Sequence, residues 1–274
     1  MAPTPARRGA APDERPPSLG SVQAVVFDTD GVITDSATVH AAAWKEAFDA
    51  CLRDFPPADP AARRPFDPGE DYRRHVDGKS RLDGAEAFLV SRGLRLPAGD
   101  PGDEPGTSTV AAVAARKEQL FTAMLREHGV DAYPGTVRLL DVLNGQGLPC
   151  AAVSASRHAP ELLSGAGVLD RFEALVDGTE AARLRLPGKP HPALFLEAAR
   201  RLGTGPADTA VIEDALAGVE AGRRGGFGLV IGVDRTAEPT GAADLLEHGA
   251  HLVVRDLAEL LSGPAVPRTG PPGG

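Results

Sequence analysis

Val22-Gln23-Ala24-Val25-Val26-Phe27-Asp28-Thr29-Asp30-Gly31-Val32 is an apolar run that stops at two aspartates one residue apart, followed by glycine. A short run of this kind reads as a strand buried on both faces, and the Asp-rich close with Gly31 reads as the turn that leaves it. From about Val39 the spacing changes: Ala43, Trp44, Ala47 and Phe48 recur at three and four residues, the period of a helix face. Helical spacing continues through 85–89 and 110–125, with loop-like stretches at 55–69 and 97–109 and no convincing strand. After Tyr133-Pro134-Gly135 a strand–helix rhythm takes over. Strands are expected at 150–153, 174–176, 209–212, 229–233 and 252–254, and helices through 139–143, through Leu162, and over 193–202 and 217–223.

Alternation of this kind predicts an α/β fold, a doubly wound parallel sheet, into which the first strand joins while the helical region stands as an insertion. The expected organisation is an α/β core of residues 21–37 and 131–261, a helical cap of 38–130 inserted after the first strand, and disordered tails over 1–20 and 262–274. The first tail holds five prolines and three arginines, and the second is rich in Pro and Gly.

A chain of 274 residues with 42% hydrophobic content builds one large or two modest domains, and with only 4% aromatics the core is mostly Ala, Val and Leu. A net charge of −9 argues against nucleic acid or an anionic membrane surface as the main partner, so any phosphate must be met by local positive charge. Cys51 and Cys150 lack metal-type spacing and read as small hydrophobes in a reducing compartment. No run approaches the roughly 18 apolar residues of a membrane helix and the N-terminus lacks an apolar signal core, so a cytoplasmic protein is expected; a monomer is expected as well.

Four segments carry the candidate chemistry, each at or just after an expected strand: Asp28-Thr29-Asp30-Gly31-Val32, Ser154-Ala155-Ser156, Gly188-Lys189-Pro190 and Glu213-Asp214. A parallel sheet brings such strand ends to one edge. Asp28 and Asp30 offer a nucleophile, a cation ligand through the carboxylate or the adjacent backbone carbonyl, and a proton shuttle. Ser154 offers a hydroxyl and following N–H groups as a phosphate cradle, and Lys189 a charge for a phosphate in transfer. Glu213 and Asp214 are adjacent acids whose repulsion Mg²⁺ would offset. Each has a plainer reading beside this one: turn residues at 28–31 and 213–214, a helix N-cap at Ser154, a solvated lysine at 189.

Other motifs fail. With Gly31 at the sixth position of a calcium loop, Val26 and Ala37 would have to be ligands. Arg183 stands where a phosphate-binding loop ending at Gly188-Lys189 needs glycine, and no dinucleotide fingerprint is present. His248 and His251 lack a third ligand nearby.

The order Asp-x-Asp-Gly-Val, Ser, Lys, Glu-Asp resembles the haloacid dehalogenase superfamily, from about Val22 to Leu260. The run from Phe27 to Ser36, with His40 and Trp44-Lys45, is similar to the opening of the β-phosphoglucomutase subfamily. So are Ser154-Ala155-Ser156-Arg157 and Gly188-Lys189-Pro190. The resemblance implies a Rossmann-like core under a helical cap and a role for each residue. Asp28 would be the nucleophile and Asp30 the general acid/base. Asp214 would hold Mg²⁺ with Glu213 close by, in a metal site that also takes in Asp28 and Asp30. Ser154, Ala155 and Lys189 would hold the transferring phosphate.

In the cap, Asp77-Gly78-Lys79-Ser80-Arg81 looks like the subfamily's substrate loop, with Gly78, Lys79, Ser80 and Arg81 against the substrate and the Arg81 fork on its distal phosphate. His40, Trp44, Lys117, Ser156, Arg157 and His158 match further substrate positions. Two departures stand out: Thr29 replaces an apolar residue, and His158 an asparagine. The implied activity is Mg²⁺-dependent phosphoryl transfer on a small sugar phosphate through an aspartyl-phosphate, as in conversion of β-glucose 1-phosphate to glucose 6-phosphate. A sugar-phosphate phosphatase shares every core residue. A dehalogenase does not need Asp30, and a silent phosphosugar-binding module does not need the full set.

Overall fold

The computed structural model describes residues 19–236 and 240–262. The expected disordered tails therefore lie almost wholly outside the described residues. Leu19 is nevertheless packed in the core, against the expectation of a disordered tail through residue 20.

Six strands form the sheet: β1 (Ala24–Asp28), β2 (Cys150–Val153), β3 (Ala174–Val176), β4 (Thr209–Glu213), β5 (Leu229–Val233) and β6 (Leu252–Val254). Their order is β3-β2-β1-β4-β5-β6, and every neighbouring pair is parallel. The expected doubly wound parallel sheet is thus present, with β1 at its centre and the reversal of winding between β1 and β4, where ligands bind in such folds. Nine helices are described: α1 (Ala37–Asp54), α2 (Arg81–Ser91), α3 (Val110–His128), α4 (Pro134–Gly145), α5 (Ala159–Gly165), α6 (Gly178–Leu184), α7 (Ala193–Arg201), α8 (Leu216–Arg224) and α9 (Gly241–Glu247).

Period-two alternation along the strands feeds a core on each face. Val25, Phe27, Cys150, Ala152, Ala210, Ile212, Ile231 and Val233 point to one side. Val26, Ala151, Val153, Val211 and Val230 point to the other, under Phe195 and Val219. Both faces are covered by helices, which is why the strands read as continuous apolar runs.

Between β1 and α4, the helix that leads into β2, the chain runs through α1, α2 and α3, with no strand among the described residues. This insertion has its own core, in which the Phe48 ring lies 4.1 Å from Phe88 and 5.2 Å from Phe66. Beneath it Asp71 is buried against Arg64 at 2.8 Å and Arg92 at 2.6 Å, a charge cluster that fixes the 64–71 loop to α2. A separate apolar contact joins insertion to sheet domain, where Ala43 and Phe121 meet Leu162 of α5.

Helices α6 and α9 are absent from the sequence reading. Each has seven residues, and α6 is capped by Asp177, which accepts from Thr179 N at 3.0 Å and Glu180 N at 2.9 Å.

Candidate active site

β1 and β4 are neighbours in register, Phe27 beside Ile212, so the next residues, Asp28 and Glu213, emerge side by side at the carboxyl edge of the sheet. Both are buried. Lys189, from the loop between α6 and α7, reaches up between them: its Nζ bonds to Asp28 Oδ1 and lies 2.5 Å from Glu213 Oε1. The ammonium also sits 4.8 Å over the Phe195 ring. Burial opposes a charged lysine, but Asp28 and Glu213 outweigh it and hold Lys189 protonated beyond the ordinary range. The plain reading of Lys189 as a solvated surface charge is overturned.

Asp214 completes an acidic group: one ligand oxygen from each of Asp28, Glu213 and Asp214 lies within 4.8 Å of the others. Gly31 makes room for it. Its φ is +80°, and a Cβ there would stand 1.7 Å from Asp214 Oδ2. An all-carboxylate set in a bare-backbone hollow fits a hard cation such as Mg²⁺. Asp77 shares the cavity wall with Asp28 and Asp214. Burial, reinforced by Glu213, pushes the Asp77 carboxyl up to about 7, and burial with Asp77 and Glu213 beside it raises Asp214 as well.

The Asp30 carboxylate is not part of this group: it turns the other way because three partners claim it there. Ser36 Oγ donates to Oδ1 at 2.5 Å, Ser154 Oγ donates to Oδ2 at 3.2 Å, and His40 Nε2 lies 3.3 Å from Oδ1. Burial alone would raise the Asp30 carboxyl, but His40, Ser36 and Lys117 outweigh it and hold it well below the usual carboxylate range. Behind it, Lys117 Nζ lies 2.7 Å from His40 Nδ1, and the imidazole stacks on Phe121 at 4.0 Å. A protonated Lys117 donates to Nδ1 and so leaves the N–H on Nε2, toward Asp30.

Ser154 is not a helix N-cap, since α5 starts at Ala159 with His158 before it. Its Oγ instead accepts from Ser156 N at 3.0 Å while donating to Asp30, which ties the β2 loop to the β1 loop.

Asp28, Asp30, Lys117, Arg81 and Asp214 line one cavity of about 50 Å³, together with His40, Trp44, Gly78, Lys79, Ala155, Ser156 and Lys189 from the expected set. Gly78 has φ +69°, and a Cβ there would approach Ala215 to 3.0 Å, so the 77–81 loop lies close against the β4 loop. Three expected substrate residues fall outside this cavity. Ser80 is the N-cap of α2, accepting from Asp83 N at 3.3 Å. Ser80 and the exposed Arg157 line an adjoining cleft of about 820 Å³, which shares Lys79, Arg81, Ala155 and Lys189 with the first cavity. His158 is taken up by Glu118, and its Nδ1 lies 3.2 Å from Glu161.

The sequence reading missed Tyr72 and Asp77 in the cavity wall, Ser36 on Asp30, and Glu118, which holds Arg81 at 2.8 Å. Asp77, Ser36 and Glu118 each adjoin or fall within a quoted motif. Tyr72 opens a five-residue π-helix, Tyr72–Val76, that has no sequence signature.

Residues 22–226 match the haloacid dehalogenase-like hydrolase family. The chain belongs to that family. Among curated relatives of this haloacid dehalogenase-like chain, β-phosphoglucomutase of Mycobacterium bovis is 43% identical over 254 residues, covering 91% of this chain and 97% of the relative. β-Phosphoglucomutase of Bacillus subtilis is 33% identical over 247 residues, covering 87% and 92%. Among solved structures, a hydrolase from Pseudomonas syringae superposes with a TM-score of 0.68 at 23% identity, over 88% of this chain and 96% of that one, a likeness of fold. This haloacid dehalogenase-like chain is accordingly an enzyme of the phosphotransferase or phosphatase type. Among the described residues no helix is long and apolar enough to cross a membrane.

Proposed function

We propose that the protein is a phosphoglucomutase-type enzyme that moves a phosphoryl group between positions of a sugar, converting β-glucose 1-phosphate to glucose 6-phosphate through a bisphosphate and a phosphorylated Asp28. The observation that carries this reading is one cavity lined both by the Asp28–Asp30 pair and by Arg81, a reacting end and a second cationic end within one enclosure. The 43% identical relative named for this activity supports it over nearly the full length.

Asp28 is the nucleophile, placed by the end of β1 against the Lys189 ammonium, which meets the charge on the phosphoryl oxygens. Ser154 and the backbone around Ala155 flank the same corner. Asp28, Glu213 and Asp214 would hold Mg²⁺, with any part for Asp30 falling to its backbone carbonyl. When bound, the ion supplies charge stabilisation to the phosphoryl group. Asp30 handles the proton. Held ionised by its neighbours, it accepts a proton from the sugar hydroxyl that attacks phospho-Asp28, and returns it to the departing oxygen in the reverse half-reaction.

A cavity of about 50 Å³ holds waters but no hexose phosphate, so the helical insertion acts as a cap that opens for entry and closes for transfer. Closure that excludes water favours a sugar hydroxyl as acceptor over hydrolysis. Incubation with Mg²⁺, β-glucose 1-phosphate and a trace of β-glucose 1,6-bisphosphate tests this, with glucose 6-phosphate and inorganic phosphate measured in parallel. Glucose 6-phosphate forming far faster than phosphate is expected. Phosphate in excess would make the protein a phosphatase.

A further inference from the structure

Glu118 lies one turn before Phe121 on α3 and outside the reacting cavity, yet it joins three elements. Its Oε2 lies 2.8 Å from Arg81 Nη1 at the start of α2, and its Oε1 bonds to His158 Nε2, at the start of α5 in the sheet domain. None of the three side chains is freely solvated: Arg81 is 29% exposed, Glu118 24% and His158 19%. The apolar contact between insertion and sheet domain lies beside the same bridge, with Phe121 5.8 Å from the His158 ring and packed on Leu162 one turn along α5.

The two bonds of Glu118 differ in kind. The one to Arg81 stays within the insertion, whereas the one to His158 crosses to the sheet domain, so opening the cap breaks the second and keeps the first. With Nη1 engaged by Glu118, the remaining N–H edge of the guanidinium is left for the cavity and cleft that Arg81 lines. Resting on the sugar-phosphate reading above, we propose that Glu118 is a positioning residue: it fixes the Arg81 fork for the second phosphate and, by latching onto His158, does so when the insertion is closed.

A second ion pair crosses the same divide elsewhere, Arg73 to Asp244 of α9 at 3.0 Å, and serves as the control. The test compares wild type, Glu118→Ala and Asp244→Asn on two substrates: β-glucose 1,6-bisphosphate, which carries a distal phosphate, and p-nitrophenyl phosphate, which does not. Glu118→Ala is expected to lower kcat/KM for the bisphosphate at least tenfold more than for p-nitrophenyl phosphate, mostly through KM, while Asp244→Asn leaves that ratio as in wild type. Equal losses on both substrates in Glu118→Ala, or the same shift of ratio in Asp244→Asn, overturn the proposal.

Acrylamide quenching of Trp44, the chain's single tryptophan, 3% exposed and in the cavity wall, reads the latch without turnover. Stronger quenching in Glu118→Ala than in wild type is expected, and unchanged quenching removes the latch. Wild type that hydrolyses p-nitrophenyl phosphate but consumes no sugar phosphate would defeat the sugar-phosphate reading, and Glu118 is then judged by Trp44 alone.

Discussion

His40 Nδ1 and Lys117 Nζ lie 2.7 Å apart in a buried pocket behind Asp30, where a lysine has exchanged water for an imidazole and two aromatic rings. Burial brings the Lys117 ammonium down to about 7, against an ordinary value of 10.5. A charged lysine buried at this place costs stability.

A stability difference follows, with its sign. Between about 7 and 10.5 the unfolded chain keeps the Lys117 proton and the folded chain has lost it, so stability rises with pH across that window as far as this group decides it. The cost of the buried charge is fully present below about 7. Lys117→Met should therefore raise the thermal midpoint more at pH 6 than at pH 9, by about 3 °C or more at the lower value. Equal gains at both pH values in calorimetry would contradict a buried charge at this position.

Gly31 is a second position with little freedom to change. Gly31→Ala puts a Cβ into the space of the Asp214 carboxylate and a non-glycine residue at φ +80°, which should cost about 1–3 kcal/mol and loosen the acidic group. Denaturant unfolding with and without Mg²⁺ measures both effects. A variant as stable as wild type, with the same response to the ion, would show that the hollow is not needed.

Magnesium itself should stabilise the fold, because it binds carboxylates that only the native sheet edge gathers. At about a hundred times its Kd the gain is roughly 2.7 kcal/mol. Asp214→Asn should lose most of that response, and EDTA should stop turnover reversibly. An unchanged melting curve in saturating Mg²⁺ speaks against the site.

Much of this was legible in the chain because strand ends in a parallel sheet are fixed by short apolar runs. Asp28, Ser154 and Glu213 could be brought to one edge from Val25–Phe27, Cys150–Val153 and Thr209–Ile212 alone. What stayed hidden depends on side-chain partners that no period encodes. The turning of the Asp30 carboxylate toward Ser36 and His40, and the capture of Arg81 by Glu118, are set by contacts across 6 to 37 residues of sequence inside an irregular loop and between two helices.

The insertion should be the fragile part. Phe48→Ala removes the ring on which Phe66 and Phe88 pack and should cost about 3–5 kcal/mol. Hydrogen exchange should show the loss concentrated in α1, α2 and α3, with the strands protected as before. Uniform loss across the sheet would mean that insertion and sheet domain unfold as one unit.

The central claim is that Asp28 carries the phosphoryl group between two positions of a sugar. Acid quench of the enzyme within milliseconds of mixing with Mg²⁺ and labelled β-glucose 1,6-bisphosphate, followed by peptide mapping, reads it most directly. Label on the peptide containing Asp28, absent from Asp28→Asn, is the expected result. Turnover without label on that peptide, or with label on another residue, would contradict the account.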